Sequence, residues 1–159
     1  MSLAVSNGIG AQELTSIGGN QKKIREENTV IVGAREIDQK EREMLHQSKI
    51  TVFTMRDIDQ RGMKEVVTQS IKIASQGTEG IHVSFDVDVI DPEEAPGVGT
   101  PVIGGITYRE AHLAMELLAD SGRISSMDIV EVNPILDHRN KTAELAVGLI
   151  CSAFGKRIY

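Results

Sequence analysis

Three aspartates close the segment GIHVSFDVDVIDP, residues 80–92. Asp86, Asp88 and Asp91 follow the apolar Ile81, Val83 and Phe85, where burying an unpaired charge costs most. The alternation predicts a strand running through residue 88, and side chains two apart on a strand point to one side. Their Cβ atoms would lie about 6–7 Å apart. Carboxylates that close raise one another's pKa. A shared proton or a bridging divalent cation would offset the repulsion. Oxygen donors favour Mg²⁺, Mn²⁺ or Ca²⁺, and added His ligands shift the preference toward Mn²⁺ or Zn²⁺. Ordinary loop solvation is the competing reading, since D-x-D is a common pair and Asp91 before Pro92 is a good turn former. An EF-hand is excluded, because no Gly stands at the required offset and no Glu closes a twelve-residue loop.

The loop that follows, VIDPEEAPGVGTPVIGG, adds weight to a ligand. Loops this long in compact α/β domains are usually functional. Gly97, Gly99, Gly104 and Gly105 would let backbone approach a ligand closely. The loop matches neither a P-loop nor a dinucleotide fingerprint. Glu131, in DIVEVNP, ends another strand pattern and could take a guanidinium through paired hydrogen bonds. Asp38 and Glu41, in REIDQKE, read first as a helix capping box. The histidines are 46, 82, 112 and 138; no His-x-x-x-His or Asp-x-His pair exists, so they do not build a metal site themselves. His46 and His112 fall in helical patterns, while His138 could approach the acidic site.

These residues need elements to hold them. Four strand-then-helix units follow one another: TVIVGARE with DQKEREMLHQS, KITVFTM with GMKEVVTQSIKIASQ, GIHVSFDVD with TYREAHLAMELLADSG, and RISSMDIVEVNP with a helix from about Asn140 to Phe154. The third helix opens on a capping box, Thr107 with Glu110. Such alternation predicts a parallel sheet covered by helices on both faces. Ligands of such sheets bind outside the carboxyl ends of the strands, where the acids stand. Residues 1 to about 28 read as turns around a short helix.

Totals narrow the class. With 159 residues there is room for one domain with a real core. A formal net charge of −6 argues against nucleic-acid and anionic-membrane partners. No apolar run approaches the roughly 20 residues that span a bilayer. The single Cys151, in an apolar helical pattern, and an N-terminus without a signal-peptide pattern point to a reducing, cytoplasmic setting.

Taken together, SFDVDVIDPEEAPGVGTPVIGGITYRE and DIVEVNP closely resemble the arginase branch of the ureohydrolases. NTVIVGAREIDQKE and NKTAELAVGLICSAFG extend the resemblance over essentially the whole chain. The D-x-D-x-x-D-P run with A-P-G-x-G-T-P is specific to the superfamily. E-V-N-P and G-G-I-T-Y-R-E favour arginase over agmatinase or formimidoylglutamase. The resemblance implies a three-layer α/β/α sandwich with a mostly parallel sheet. It implies hydrolysis of L-arginine to ornithine and urea by a metal-activated hydroxide, with two Mn²⁺ per complete subunit and trimers or hexamers. Asp86 would bridge the ions and Asp88 bind one of them. Thr100 and Glu131 would meet the guanidinium, Asp38 and Glu41 the α-amino group, and Asp91 would support the motif.

The sequence departs from the family in one respect. The G-G-D-H and D-A-H-x-D segments that supply the remaining metal ligands are absent, as is the proton-shuttling His, so no catalytic residue is assigned. Residues 1–159 are therefore expected to be the C-terminal part of a single arginase-like domain, with little activity alone and an unpaired sheet edge open to self-association. Three rivals stand beside this: an agmatinase, a non-catalytic cation-binding module of the receiver type, and a partner that binds intact arginase subunits.

Overall fold

The computed structural model describes residues 2–157 and 159. Before the sheet begins, two short helices, α1 (Ser2–Ser6) and α2 (Gln12–Thr15), bury none of their side chains. A 3₁₀ turn at Glu26–Asn28 then leads into β1 (Val30–Ala34). The helix α3 (Gln39–Gln47) starts where Asp38 accepts from the Glu41 amide at 2.9 Å. The strand β2 (Thr51–Thr54) passes directly into α4 (Met55–Arg61), which the sequence pattern does not reveal as a separate helix. Its cause is local: Thr54 and Asp57 form a reciprocal capping box. Gly62, at φ 78°, then breaks the helical path before α5 (Met63–Ala74).

The strand β3 (Ile81–Asp86) stops two residues earlier than its alternation predicts, and a 3₁₀ turn takes over at Val87–Val89. The helix α6 (Tyr108–Asp120) opens on the expected Thr107–Glu110 capping box. It is followed by β4 (Ile124–Val130) and α7 (Lys141–Ala153).

All strand pairing is parallel, as expected. The four strands do not form one continuous sheet, however. β1 pairs with β2, and β3 pairs with β4. Helices bridge the two pairs: α5 packs on β1 and on α6, and α6 packs on α7. The core lies in this layer, where Val66, Val87, Ile90, Met115 and Leu149 are fully enclosed. Ile81 and Phe85 point into it from β3. The opposite face of β3 and β4 carries His82, Ser84 and Asp128, all exposed. The fold is thus α/β with parallel strands and packed helices, as expected, in partial form.

Candidate functional site

Asp86 is the last residue of β3, so its carboxylate stands at the carboxyl end of the strand pair. Its Oδ1 accepts from the Asp88 amide at 2.8 Å. That bond belongs to the 3₁₀ turn, and it replaces the strand geometry by which the two carboxylates were expected to share a side. Asp88 Oδ2 accepts from the Thr100 hydroxyl at 2.6 Å, fastening the glycine-rich loop to the acids. Asp88 Oδ1 is buried and has no partner. A buried carboxylate oxygen without a donor is expensive, and a cation is one group that would satisfy it.

The electrostatics agree. Partial burial holds the Asp86 carboxyl above the usual carboxylate range. The negative charges of Asp88 and Glu131 add to this, while the Asp88 amide and Arg35 act against it. Glu131 follows β4 directly with a left-handed backbone, φ 68°. Its Oε2 stands 3.8 Å from the position a Cβ on Gly99 would occupy. Glu131 does not line the cavity that Asp86 and Asp88 share, yet its charge is felt at Asp86.

Asp86, Asp88 and Thr100 line one cavity of about 290 Å³ with Arg35 and Glu36 from the end of β1. Asp38 and Glu41 are exposed and lie outside that lining. Asp38 is the cap of α3, as one sequence reading has it. His138 is likewise outside that lining; its amide donates to Asp137 Oδ1 at 2.8 Å. His112 is buried on α6 with its Nδ1 2.9 Å from the Ser152 hydroxyl, a packing role. Burial, with the nearby Arg109 charge, lowers its pKa. Cys151, in the apolar pattern of α7, is only partly buried.

Asp91 does not line the cavity. Its Oδ1 accepts from Glu93, and its Oδ2 accepts from Gly104 at 2.9 Å and Gly105 at 3.2 Å. It therefore shapes the loop, the supporting role expected of it. The glycines also serve the loop more than a ligand. A Cβ on Gly105 would stand 2.5 Å from the Asp91 amide, and one on Gly97 would stand 2.5 Å from Asp137 Cβ.

Arg35 was not singled out by sequence. Its guanidinium donates to the carbonyls of Asp88, Val89 and Val102, tying β1 to both ends of the functional loop. An arginine after a strand gives no sign in sequence that it will clamp carbonyls more than fifty residues away.

Among the described residues, no three His, Cys, Asp or Glu converge in a way that could hold a metal ion. Asp86 and Asp88, with the unpartnered Oδ1, fit as part of a metal site and do not complete one.

Parallel strands with two neighbouring aspartates and a glycine-rich loop at their carboxyl ends define an α/β protein with an acidic cavity where such folds place their ligand sites. The Arginase family model matches residues 16–155, and the chain belongs to that family. It is 51% identical over 158 residues to the arginase of Brevibacillus brevis, and 51% identical to that of Bacillus subtilis; each match takes in 99% of this chain and 53% of the relative. The crystal structure of the Bacillus subtilis arginase superposes with a TM-score of 0.97 at 50% identity, over 100% of this chain and 56% of that one. The Bacillus caldovelox arginase gives 0.96 at 49%, over 99% and 52%. This chain spans about half the length of the curated relatives it matches.

Proposed function

We propose that this chain carries the C-terminal part of a manganese-dependent arginase, which as a complete enzyme hydrolyses L-arginine to L-ornithine and urea. The reading rests on Asp88, whose Oδ2 is engaged by Thr100 while its buried Oδ1 lacks a partner beside Asp86, in a chain of the arginase family. Asp86 and Asp88 would hold Mn²⁺, which when bound lowers the pKa of water to yield a nucleophile. Thr100 would orient Asp88 and meet the guanidinium. Glu131 would accept paired guanidinium N–H groups. Asp38 and Glu41 would recognise the α-amino group, with Asp38 using the oxygen left free by its cap. Complete subunits would be cytoplasmic and assemble as trimers or hexamers.

The ligand set is incomplete here, so the chain alone should bind Mn²⁺ weakly and release no urea from arginine. Calorimetric titration with Mn²⁺, with Asp88→Ala as control, tests the first point. Two tight ions on the unaided chain, lost in the control, would overturn the partial-site reading. Urea production is then assayed after co-expression with the portion of the Bacillus subtilis arginase that the alignment leaves unmatched. A co-purified assembly that makes no urea, or that prefers agmatine to arginine, would sink the proposed reaction.

A further inference from the structure

Among the described residues His112 is the one buried histidine, and it stands where α6 packs on α7. Its Nδ1 lies 2.9 Å from the hydroxyl of Ser152 on α7, and Ser152 is buried too. The Tyr108 ring leans against it, with 4.4 Å between centroids. The helix α7 passes close to the ring at Gly148, where an added Cβ would stand 3.4 Å from His112 Cε1 and 3.6 Å from Nε2. Nε2 is buried and, among the described residues, has no hydrogen-bond partner. Around it the two helices share an apolar core that includes Met115 and Leu149.

This environment suits only one of the ring's protonation states. A neutral imidazole carries a single N–H. With that proton on Nδ1 the ring donates to Ser152, and Nε2 is left as a lone pair. An imidazolium carries both N–H groups, so its Nε2–H would be buried without an acceptor. The charges that act on the ring are Arg109 and Glu116 of α6 and Lys156 beyond α7, and Glu116 is already engaged by Arg109 at 3.6 Å. The helix α7 presents Gly148 and Ser152, neither of which titrates. Burial first, and then Arg109, hold the pKa of His112 below the ordinary 6.5; Lys156 adds to this and Glu116 opposes it.

We propose that His112 is a proton-operated latch between α6 and α7, and that its release in mild acid frees the loop that the two helices hold. That loop runs from Val89 to Thr107, where α6 begins. Its Gly97 amide donates at 2.7 Å to the buried hydroxyl of Thr142, in the first turn of α7. Its Thr100 hydroxyl donates to Asp88 in the acidic cavity. A shift of α7 on α6 therefore reaches that cavity through Gly97 and Thr100. The latch does not depend on the proposed reaction, and it holds or fails whether or not urea is made.

A ring that is harder to protonate in the closed latch than in the open one takes up a proton on opening. Closure is therefore fully favoured above pH 6.5 and weakens as pH falls below it. One proton limits the rise in the opening constant to about tenfold for each pH unit. The test is native-state hydrogen exchange on the 159-residue chain between about pH 7.5 and about pH 5, corrected for intrinsic exchange, beside an NMR titration of the His112 ring. The opening constants of α7 amides and of Gly97 should rise at least about tenfold toward acid, and at the acid end exceed those of β3 and β4 at least about tenfold. The ring should stay neutral well below pH 6.5. His112→Leu should abolish the rise. Should that variant not fold, the ring titration and the comparison of α7 with β3 and β4 decide on the unaltered chain. A ring that titrates at or above 6.5 in the folded chain would overturn the proposal. So would α7 amides indifferent to pH, a folded His112→Leu with the same rise, or equal opening of α7, β3 and β4 in acid, which would make the event global.

Discussion

Glu131 holds a left-handed backbone, φ 68°, that costs a non-glycine residue about 1–2 kcal/mol. The strain has no structural return within the chain, since the side chain is exposed. Glu131→Gly should therefore be more stable than Glu131→Ala by about 1 kcal/mol in chemical denaturation. Equal stabilities would show the backbone to be unstrained. Asp91 presents the contrary case, a carboxylate kept for structure. The Glu93 amide chiefly, and then those of Gly104 and Gly105, hold its pKa below the ordinary 3.8. A folded-state pKa below the unfolded one gives stability that is present above pH 3.8 and is lost as pH falls through the folded value. Wild type should exceed Asp91→Asn in stability at neutral pH, and the two should converge in acid. A gap that persisted in acid would mean that charge is not its origin. Residue types and spacing pointed to Asp86 and Asp88 at a strand end, where they line one cavity, and to Asp91 as a turn residue, where it accepts from loop amides. They did not reveal that Asp88 leaves the strand, because the 3₁₀ turn arises from a side chain, Asp86, bonding the backbone two residues on.

Elements were legible wherever their cause is local. The Thr107–Glu110 box announces α6, and the structure places both reciprocal bonds there. Thr107→Ala should cost about 1 kcal/mol, read as a lower midpoint in urea with an unchanged slope. The start of α4 was missed although the same signal was present, because Thr54 also completes the apolar alternation of β2. Gly33 shows a cause that is not local. It sits in β1 at φ 83°, where an added Cβ would lie 2.5 Å from Val89 Cγ2. The strand end must come this close to the loop after β3 for Arg35 to reach the carbonyls of Asp88, Val89 and Val102. Gly33→Ala combines backbone strain with a clash and should cost at least about 2 kcal/mol. A near-neutral result in the same titration would show that β1 and the loop are free to separate.

At the scale of the molecule, four strand–helix units in sequence do not tell which strands are neighbours, and the split into two pairs follows from spatial order alone. Through Phe85 the β3–β4 pair shares a core cluster with α6 and α7, which carry buried residues along their lengths, whereas α3 buries none and α4 only Ile58. The β1–β2 pair is joined to the rest by α5 beneath and by the Arg35 clamp at one end. Cooperative units open with free energies that follow their buried contacts. Native-state hydrogen exchange should therefore resolve two tiers, with β1 and β2 amides opening at lower free energy than those of β3, β4 and α6. Arg35→Ala should widen the interval by lowering the β1–β2 tier by about 1–3 kcal/mol, since three carbonyls lose a charged donor, while the β3–β4 tier stays in place. A single tier, shifted as a whole by the substitution, would mean that the helical layer alone couples the two pairs.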